Sequence, residues 1–278
     1  VLFYVFRRKF MHWSDLPVKF TISGSLFSFR YIAYKILLYS NSFILCVGKH
    51  TLIHFKNIGF PHERLSYFPI FVDVPKEIKN DINTRKFFAG KYDLDCSKVW
   101  IFAGSRLVAE KGLDVLIDAL ATLTKEIAQN INVIIVGSGP QDFYLRKKIG
   151  QAKLHNFVTM IPWLDSSEFI KFLGTSDIVI QPSRNESYGI AALSLANGVP
   201  VIGSTTAGAA LDKVQNGING YLFDVNNVCE LVEKIELLVL ESDLRNQMSI
   251  TSHHLEKRHT PVIGAKLLVE LCTECLNA

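Results

Sequence analysis

No stretch of this chain approaches the roughly 18 consecutive apolar residues that a membrane-crossing helix needs, although 49% of its 278 residues are hydrophobic and mean hydropathy is +0.21. The opening VLFYVF is too short to span, and Arg7-Arg8-Lys9 follows it instead of preceding it, the wrong order for a secretion signal. Cysteine is scarce. Five thiols, an odd number spread along a large chain, point to reduced side chains and a cytosolic setting. Cys272 and Cys275 form a C-x-x-C with no second pair to complete a zinc site and no βαβ signal around it, so ordinary helix packing is expected of them. Charge of one sign is also short. Lys+Arg number 30 against 26 Asp+Glu, a net +4 that suits a phosphate-bearing ligand or an anionic membrane surface and makes no case for nucleic acid. A complete G-x-G-x-x-G with an acid about 20 residues on is missing, which argues against a nicotinamide-dependent oxidoreductase. There is no internal repeat, no metal-ligand spacing, and none of the eight histidines stands out, His12, His50 and His54 included.

What is present centres on QPSRNESYGIAALSLANGVPVIGS, residues 181–204. A short apolar run ends at Pro182, a polar loop carries Glu186, Ser187, Tyr188 and Gly189, and an Ala/Leu-rich helix stops at Gly198 before another apolar run. Strand, polar loop, helix and strand leave free amides and a positive helix end at the carboxyl edge of a parallel sheet, where phosphates bind. A carboxylate in the same loop accepts hydrogen bonds from sugar hydroxyls. Phosphate donors beside a sugar acceptor suggest a nucleotide-sugar site.

The flanks divide the chain. Val1 opens it in mid-pattern, as expected of a fragment or a processed chain. Residues 1–14 carry apolar side chains at helical spacing and predict a helix; strands are expected over 18–22, 43–47 and 66–71, and helices over 27–38 and 49–57. Residues 78–98 turn polar and read as a linker between a partial first domain, 1–77, and a second, 99–260. From Val99 short apolar runs alternate with longer helical patterns, which predicts an α/β fold with a doubly wound parallel sheet. A terminal helix over 261–278 is expected to pack back towards the first domain.

Three loops of that second domain carry candidate chemistry. Gly104 and Ser105 lead into Arg106, and Lys111 follows five residues later; fork and point charge together suit one diphosphate, while a solvated surface pair is the plainer alternative. Gly137 and Gly139 permit a tight turn and the close approach of a ligand. Trp163, after Pro162 and before Leu164, offers a face for a nucleobase or simply packs.

GSRLVAEKGLDVLIDAL, VIIVGSGP, the E-S-Y-G loop, LANGVPVIGS and NGINGYLF follow one another in order. Together they resemble the carboxyl-terminal domain of the group 1 (family 4) glycosyltransferases, retaining enzymes of GT-B fold, from about Val99 onward; FILCVGKHTLIHF to LSYFPIFVD is similar to the last part of that family's first, Rossmann-like domain. The resemblance implies that Arg106 and Lys111 hold the donor diphosphate and that Glu186 contacts the donor sugar as the first acid of an E-x7-E motif. It also implies that Gly104, Ser105, Ser187 and the backbone of Tyr188, Gly189 and Ile190 approach the donor, with Gly137, Gly139, Trp163 and Leu164 around its base. Two departures stand out. The second acid of the motif, which in the family holds the ribose, falls on Ser194, and the usual Gly-Gly-x-x-Glu reads Gly208-Ala209-Ala210-Leu211-Asp212. The stretch 17–25 is similar to a family strand that often ends in His-Gly and puts Ser23 where a histidine is common, and the family's first strands are expected to be missing.

The expectation is a retaining glycosyltransferase without cofactor or metal, taking a UDP- or GDP-type sugar donor. It would act on a lipid-linked or polysaccharide-precursor acceptor, in the cytoplasm and peripheral to the inner face of the membrane through Phe3, Tyr4, Phe6, Arg7, Arg8, Lys9, Phe10 and Trp13. A core helix is the plainer reading of that first segment. An inactive, donor-binding partner subunit is the alternative for the whole, prompted by Ser194 and the missing strands.

Overall fold

The computed structural model describes residues 9–15, 36, 40–75 and 81–277. Two compact units emerge, one made of Val1–Phe71 with Pro261–Ala278 and the other of Val72–Thr260.

The second unit is built on six parallel strands: β4 (Val99–Gly104), β5 (Ile131–Val136), β6 (Val158–Ile161), β7 (Ile178–Gln181), β8 (Val201–Ser204) and β9 (Gly220–Phe223). Their order across the sheet is β6-β5-β4-β7-β8-β9. The chain therefore winds outward in one direction from β4 and then in the other from β7, and the carboxyl ends of those two strands flank the point of reversal. Every strand is apolar because both faces are covered. On β4 the alternation is plain. Ile101 and Ala103 join one core with Leu116, Leu120, Leu145 and Leu231 from the helices Leu113–Thr122, Asp142–Gln151 and Val228–Leu240. Trp100 and Phe102 point the other way, onto Phe172 and Phe169 of the helix Ser166–Gly174, at ring-centroid distances of 5.9 and 5.2 Å.

The segment read as a linker is largely structured. Ile82–Tyr92 is a helix capped by the Asp81 side chain on the Asn83 amide, and its Phe88 stacks on Phe172 at 4.2 Å. Its polar composition reflects a helix with one narrow buried edge, Phe88 and Ala89, and no broad apolar face.

In the first unit β1 (Phe10–Ser14), β2 (Ser42–Cys46) and β3 (Leu65–Tyr67) form a parallel sheet in that order. The helix expected over 1–14 is corrected at its described end: 10–14 is a strand, in register Phe10 to Ser42 and Ser14 to Cys46. Tertiary pairing overrides a helical spacing carried by few residues. Ile44, Cys46, Phe55, Phe60 and Leu65 form the core, and the final helix Pro261–Asn277 sets Gly264 so close to the Phe71 ring that a Cβ there would lie 2.5 Å away. The elements expected over 18–22 and 27–38, Ser23, and the aromatic and basic residues 3–8 lie outside the described residues. No helix among the described residues is long and apolar enough to cross a membrane.

Candidate functional site

At the carboxyl ends of β4 and β7 a cavity of about 450 Å3 opens in the second unit. Two loops make its polar side, 104–112 after β4 and 182–190 after β7. Gly112 has a φ of +64°, and a Cβ there would meet the Pro182 carbonyl at 1.9 Å, so the loops run in contact where only glycine fits.

Lys111 and Glu186 meet in that contact as an ion pair between Nζ and Oε2, both side chains mostly buried. Burial pulls the Lys111 ammonium down to about 8, the Arg106 guanidinium pushes it the same way, and Glu110 opposes them. Arg106 is exposed at the cavity edge, and the buried Leu107 beside it anchors the loop.

Glu186 is held by its backbone: its amide donates to the Thr206 carbonyl at 3.3 Å and its carbonyl accepts from Gly208 at 3.0 Å. Gly208 is the retained glycine of the altered Gly-Gly-x-x-Glu segment, and a Cβ on it would come within 1.9 Å of the Ser187 carbonyl. The Ala209 amide reaches the Tyr188 carbonyl at 2.8 Å, a bond that alanine makes as well as glycine. Gln181, buried at the end of β7, holds the next turn: its Oε1 accepts from the Ala191 amide at 3.1 Å and its Nε2 donates to the Tyr188 carbonyl at 3.3 Å. Gly189, at φ +91°, folds onto that amide group.

The apolar side is aromatic. Trp163, 58% exposed, stacks on Phe169 at 6.1 Å and 26°, and its backbone amide donates to Ser138 Oγ at 3.2 Å. The Phe169 ring lies where a side chain on Gly104 would stand, 2.5 Å from an added Cβ.

A cationic and acidic wall facing an aromatic one, at the point of reversal of a doubly wound sheet, suits a molecule with a diphosphate, hydroxyls and a flat ring. The family of group 1 glycosyl transferases matches residues 85–254. This chain belongs to that family.

Its relatives agree. The D-inositol 3-phosphate glycosyltransferase of Pseudarthrobacter chlorophenolicus is 32% identical over 142 residues, 50% of this chain and 33% of that protein. An uncharacterized glycosyltransferase of Methanocaldococcus jannaschii is 29% identical over 253 residues, 89% of this chain and 62% of that protein. The GDP-mannose-dependent alpha-(1-6)-phosphatidylinositol monomannoside mannosyltransferase of Mycobacterium tuberculosis is 27% identical over 205 residues, 71% and 52% of the two chains. The chain thus spans from a third to under two thirds of the length of these curated relatives. Among solved structures, HepE of Anabaena in complex with UDP superposes with a TM-score of 0.83 at 18% identity, over 96% of this chain and 72% of that one, and the fold is GT-B.

Within this group 1 glycosyltransferase the structure brings Gly104, Ser105, Arg106, Lys111, Trp163, Leu164, Glu186, Gly189 and Ile190 to the cavity wall. Five other expected residues stand apart from the lining. Gly137 and Gly139 pack beneath the first loop, where added Cβ atoms would lie 1.9 Å from the Ser105 carbonyl and 2.5 Å from that of Leu107. Their close approach is to the backbone of that loop. Ser187 and Tyr188 meet the 208–209 segment through their carbonyls, and the Tyr188 side chain is buried. Ser194 is set deeper. It is fully buried, and its hydroxyl donates to the Val199 carbonyl at 2.8 Å, tying the short helix Ala191–Ala196 to the strand that follows. A hydroxyl this short finds its partner in its own backbone neighbourhood. Gln181 and Phe169 join the site without a motif of their own; a polar residue closing an apolar strand just before Pro182 is the sequence signal for the first, and Phe169 carries none.

Proposed function

We propose that this chain carries the donor half of a retaining glycosyltransferase that moves a sugar from a nucleoside-diphosphate donor to an acceptor hydroxyl. The observation that carries the reading is Lys111 against Glu186, with Arg106 at the same cavity edge, at the carboxyl ends of the two strands that flank the reversal. Arg106 and Lys111 take the diphosphate. As the bond between the anomeric carbon and the diphosphate breaks, negative charge grows on the leaving group, and the mostly buried Lys111 ammonium, with the Arg106 guanidinium at the cavity edge, stabilises it more than water does. Glu186, released from Lys111 by the incoming phosphates, accepts hydrogen bonds from donor-sugar hydroxyls. Trp163 and Phe169 offer the flat face that a base stacks on.

A UDP or GDP donor draws support from the UDP complex of HepE and from the relative named for GDP-mannose. A lipid-linked or polysaccharide-precursor acceptor, and with it a cytoplasmic protein peripheral to the inner face of the membrane, draws support from the relative named for phosphatidylinositol monomannoside.

Calorimetric titration with UDP, GDP, ADP and their glucose and mannose conjugates tests the donor. Saturable binding of one nucleotide series, lost in Arg106→Ala, is expected. A folded protein that binds none of them overturns the reading.

A further inference from the structure

Arg184 lies outside the cavity lining yet joins the two loops that make its polar wall. Its guanidinium meets Asp114 through two bonds, Nη1 to Oδ1 and Nη2 to Oδ2, each 2.7 Å, and Nη1 also donates to the Ala109 carbonyl at 2.9 Å. The backbone amides of Arg184 and Asn185 both donate to the Glu110 carbonyl, at 2.8 and 3.3 Å. Arg184 stands two residues before Glu186, and Asp114 three after Lys111. Burial pushes the Asp114 carboxyl up, but the Arg184 guanidinium, with help from a backbone amide and the Lys148 charge, holds it below the usual carboxylate range.

We infer that Arg184 is a positioning residue, a brace to Asp114 and Ala109 that holds the 104–112 loop where Arg106 and Lys111 face a donor diphosphate. The inference rests on the nucleotide-sugar reading of the cavity. The physical argument is the geometry of the fork. A planar guanidinium engages a carboxylate at two points and so fixes orientation as well as distance, which a lysine at the same place does not do. The brace also joins the two loops of one polar wall. A partly exposed ion pair contributes modestly to global stability, so its main consequence is local: without it the loop keeps its backbone bonds to 184–185 and loses its lateral hold.

The test pairs nucleotide titration with amide hydrogen exchange on the whole chain. Wild type, Arg184→Ala, Arg184→Lys, Asp114→Ala and the Arg184→Ala/Asp114→Ala double variant are titrated with UDP and with GDP. Exchange of the Lys111 and Gly112 amides, bonded to the carbonyls of Val108 and Ala109 at 3.0 and 3.2 Å, is followed without nucleotide. Each Ala variant is expected to weaken the bound nucleotide about tenfold, the double variant no more than either single one, and Arg184→Lys nearly as much as Arg184→Ala. The two amides should exchange faster while the melting temperature moves by no more than about 2–4 °C. Unchanged affinity in Arg184→Ala, or losses that simply add in the double variant, overturn the brace. If wild type binds neither nucleotide, the donor reading falls by itself, and exchange still decides: unchanged protection in Arg184→Ala overturns the brace too.

Discussion

Lys111 and Glu186, 75 residues apart in the chain, face each other as an ion pair across the seam between two loops. In the absence of a donor each neutralises the other. On the proposed reading, a diphosphate entering the cavity would compete with Glu186 for the same ammonium. Replacing Glu186 with Gln is therefore expected to leave nucleoside-diphosphate affinity unchanged or tighter while turnover falls on the order of 100-fold. Calorimetry and initial rates on one variant check both halves; affinity falling in step with turnover would contradict competition for Lys111.

Lys111→Ala should cost on the order of 100-fold or more in turnover, with the circular dichroism spectrum retained. Unchanged turnover would remove Lys111 from the reaction.

The pH dependence of donor binding has a defined sign. The Lys111 ammonium is lowered to about 8, mainly by burial, and on the proposed reading its charged form would meet the diphosphate. Binding is thus complete below pH 8 and weakens as pH rises through it, by about tenfold per unit for one required proton. Arg stays protonated throughout this range, so Lys111→Arg should abolish the alkaline limb even where its affinity is lower. An alkaline limb that persists in Lys111→Arg assigns the titration elsewhere.

Ser194→Ala separates a structural serine from a ribose-binding one. The loss of its bond to the Val199 carbonyl is expected to lower stability by about 1 kcal/mol, read from urea unfolding, with donor affinity unchanged. A weakened donor and an unchanged unfolding midpoint would return Ser194 to the site.

Away from the cavity, Lys213 and Glu256 form an ion pair at 2.8 Å whose side chains are 2% and 3% exposed. His259 nearby is held below its usual range by burial and then by the Lys213 charge. Removing either partner alone leaves a buried charge and should cost about 3–5 kcal/mol, whereas Lys213→Met with Glu256→Leu should cost far less. Urea unfolding of the three variants checks the ordering.

Much of the second unit was legible in the chain. The alternation of apolar runs and helical patterns from Val99 onward is the observed alternation of six strands and their helices, because a strand covered on both faces is mostly apolar and a helix must repeat its apolar side every turn. The apolar pattern after Gly112 runs on to about Ile127, yet the helix stops at Thr122 and Thr124 caps a short second one on the Ile127 amide, a local cap within a continuing pattern. The first unit was harder to read. Residues 10–14 hold too few side chains to separate a period of 3.6 from one of 2, and only pairing with 42–46 selects the strand.

The chain by itself determined the order of elements, the family, and which residue types gather after β4 and β7, since each follows from local periodicity and short motifs. Only the tertiary structure decided which of those residues face one another. Lys111 meets Glu186, Arg184 braces Asp114, Gly137 and Gly139 serve a neighbouring loop, and Ser194 turns to Val199 because strands paired in the order β6-β5-β4-β7-β8-β9 bring together loops far apart in sequence. A side chain's partner depends on that pairing, and no spacing along the chain contains it.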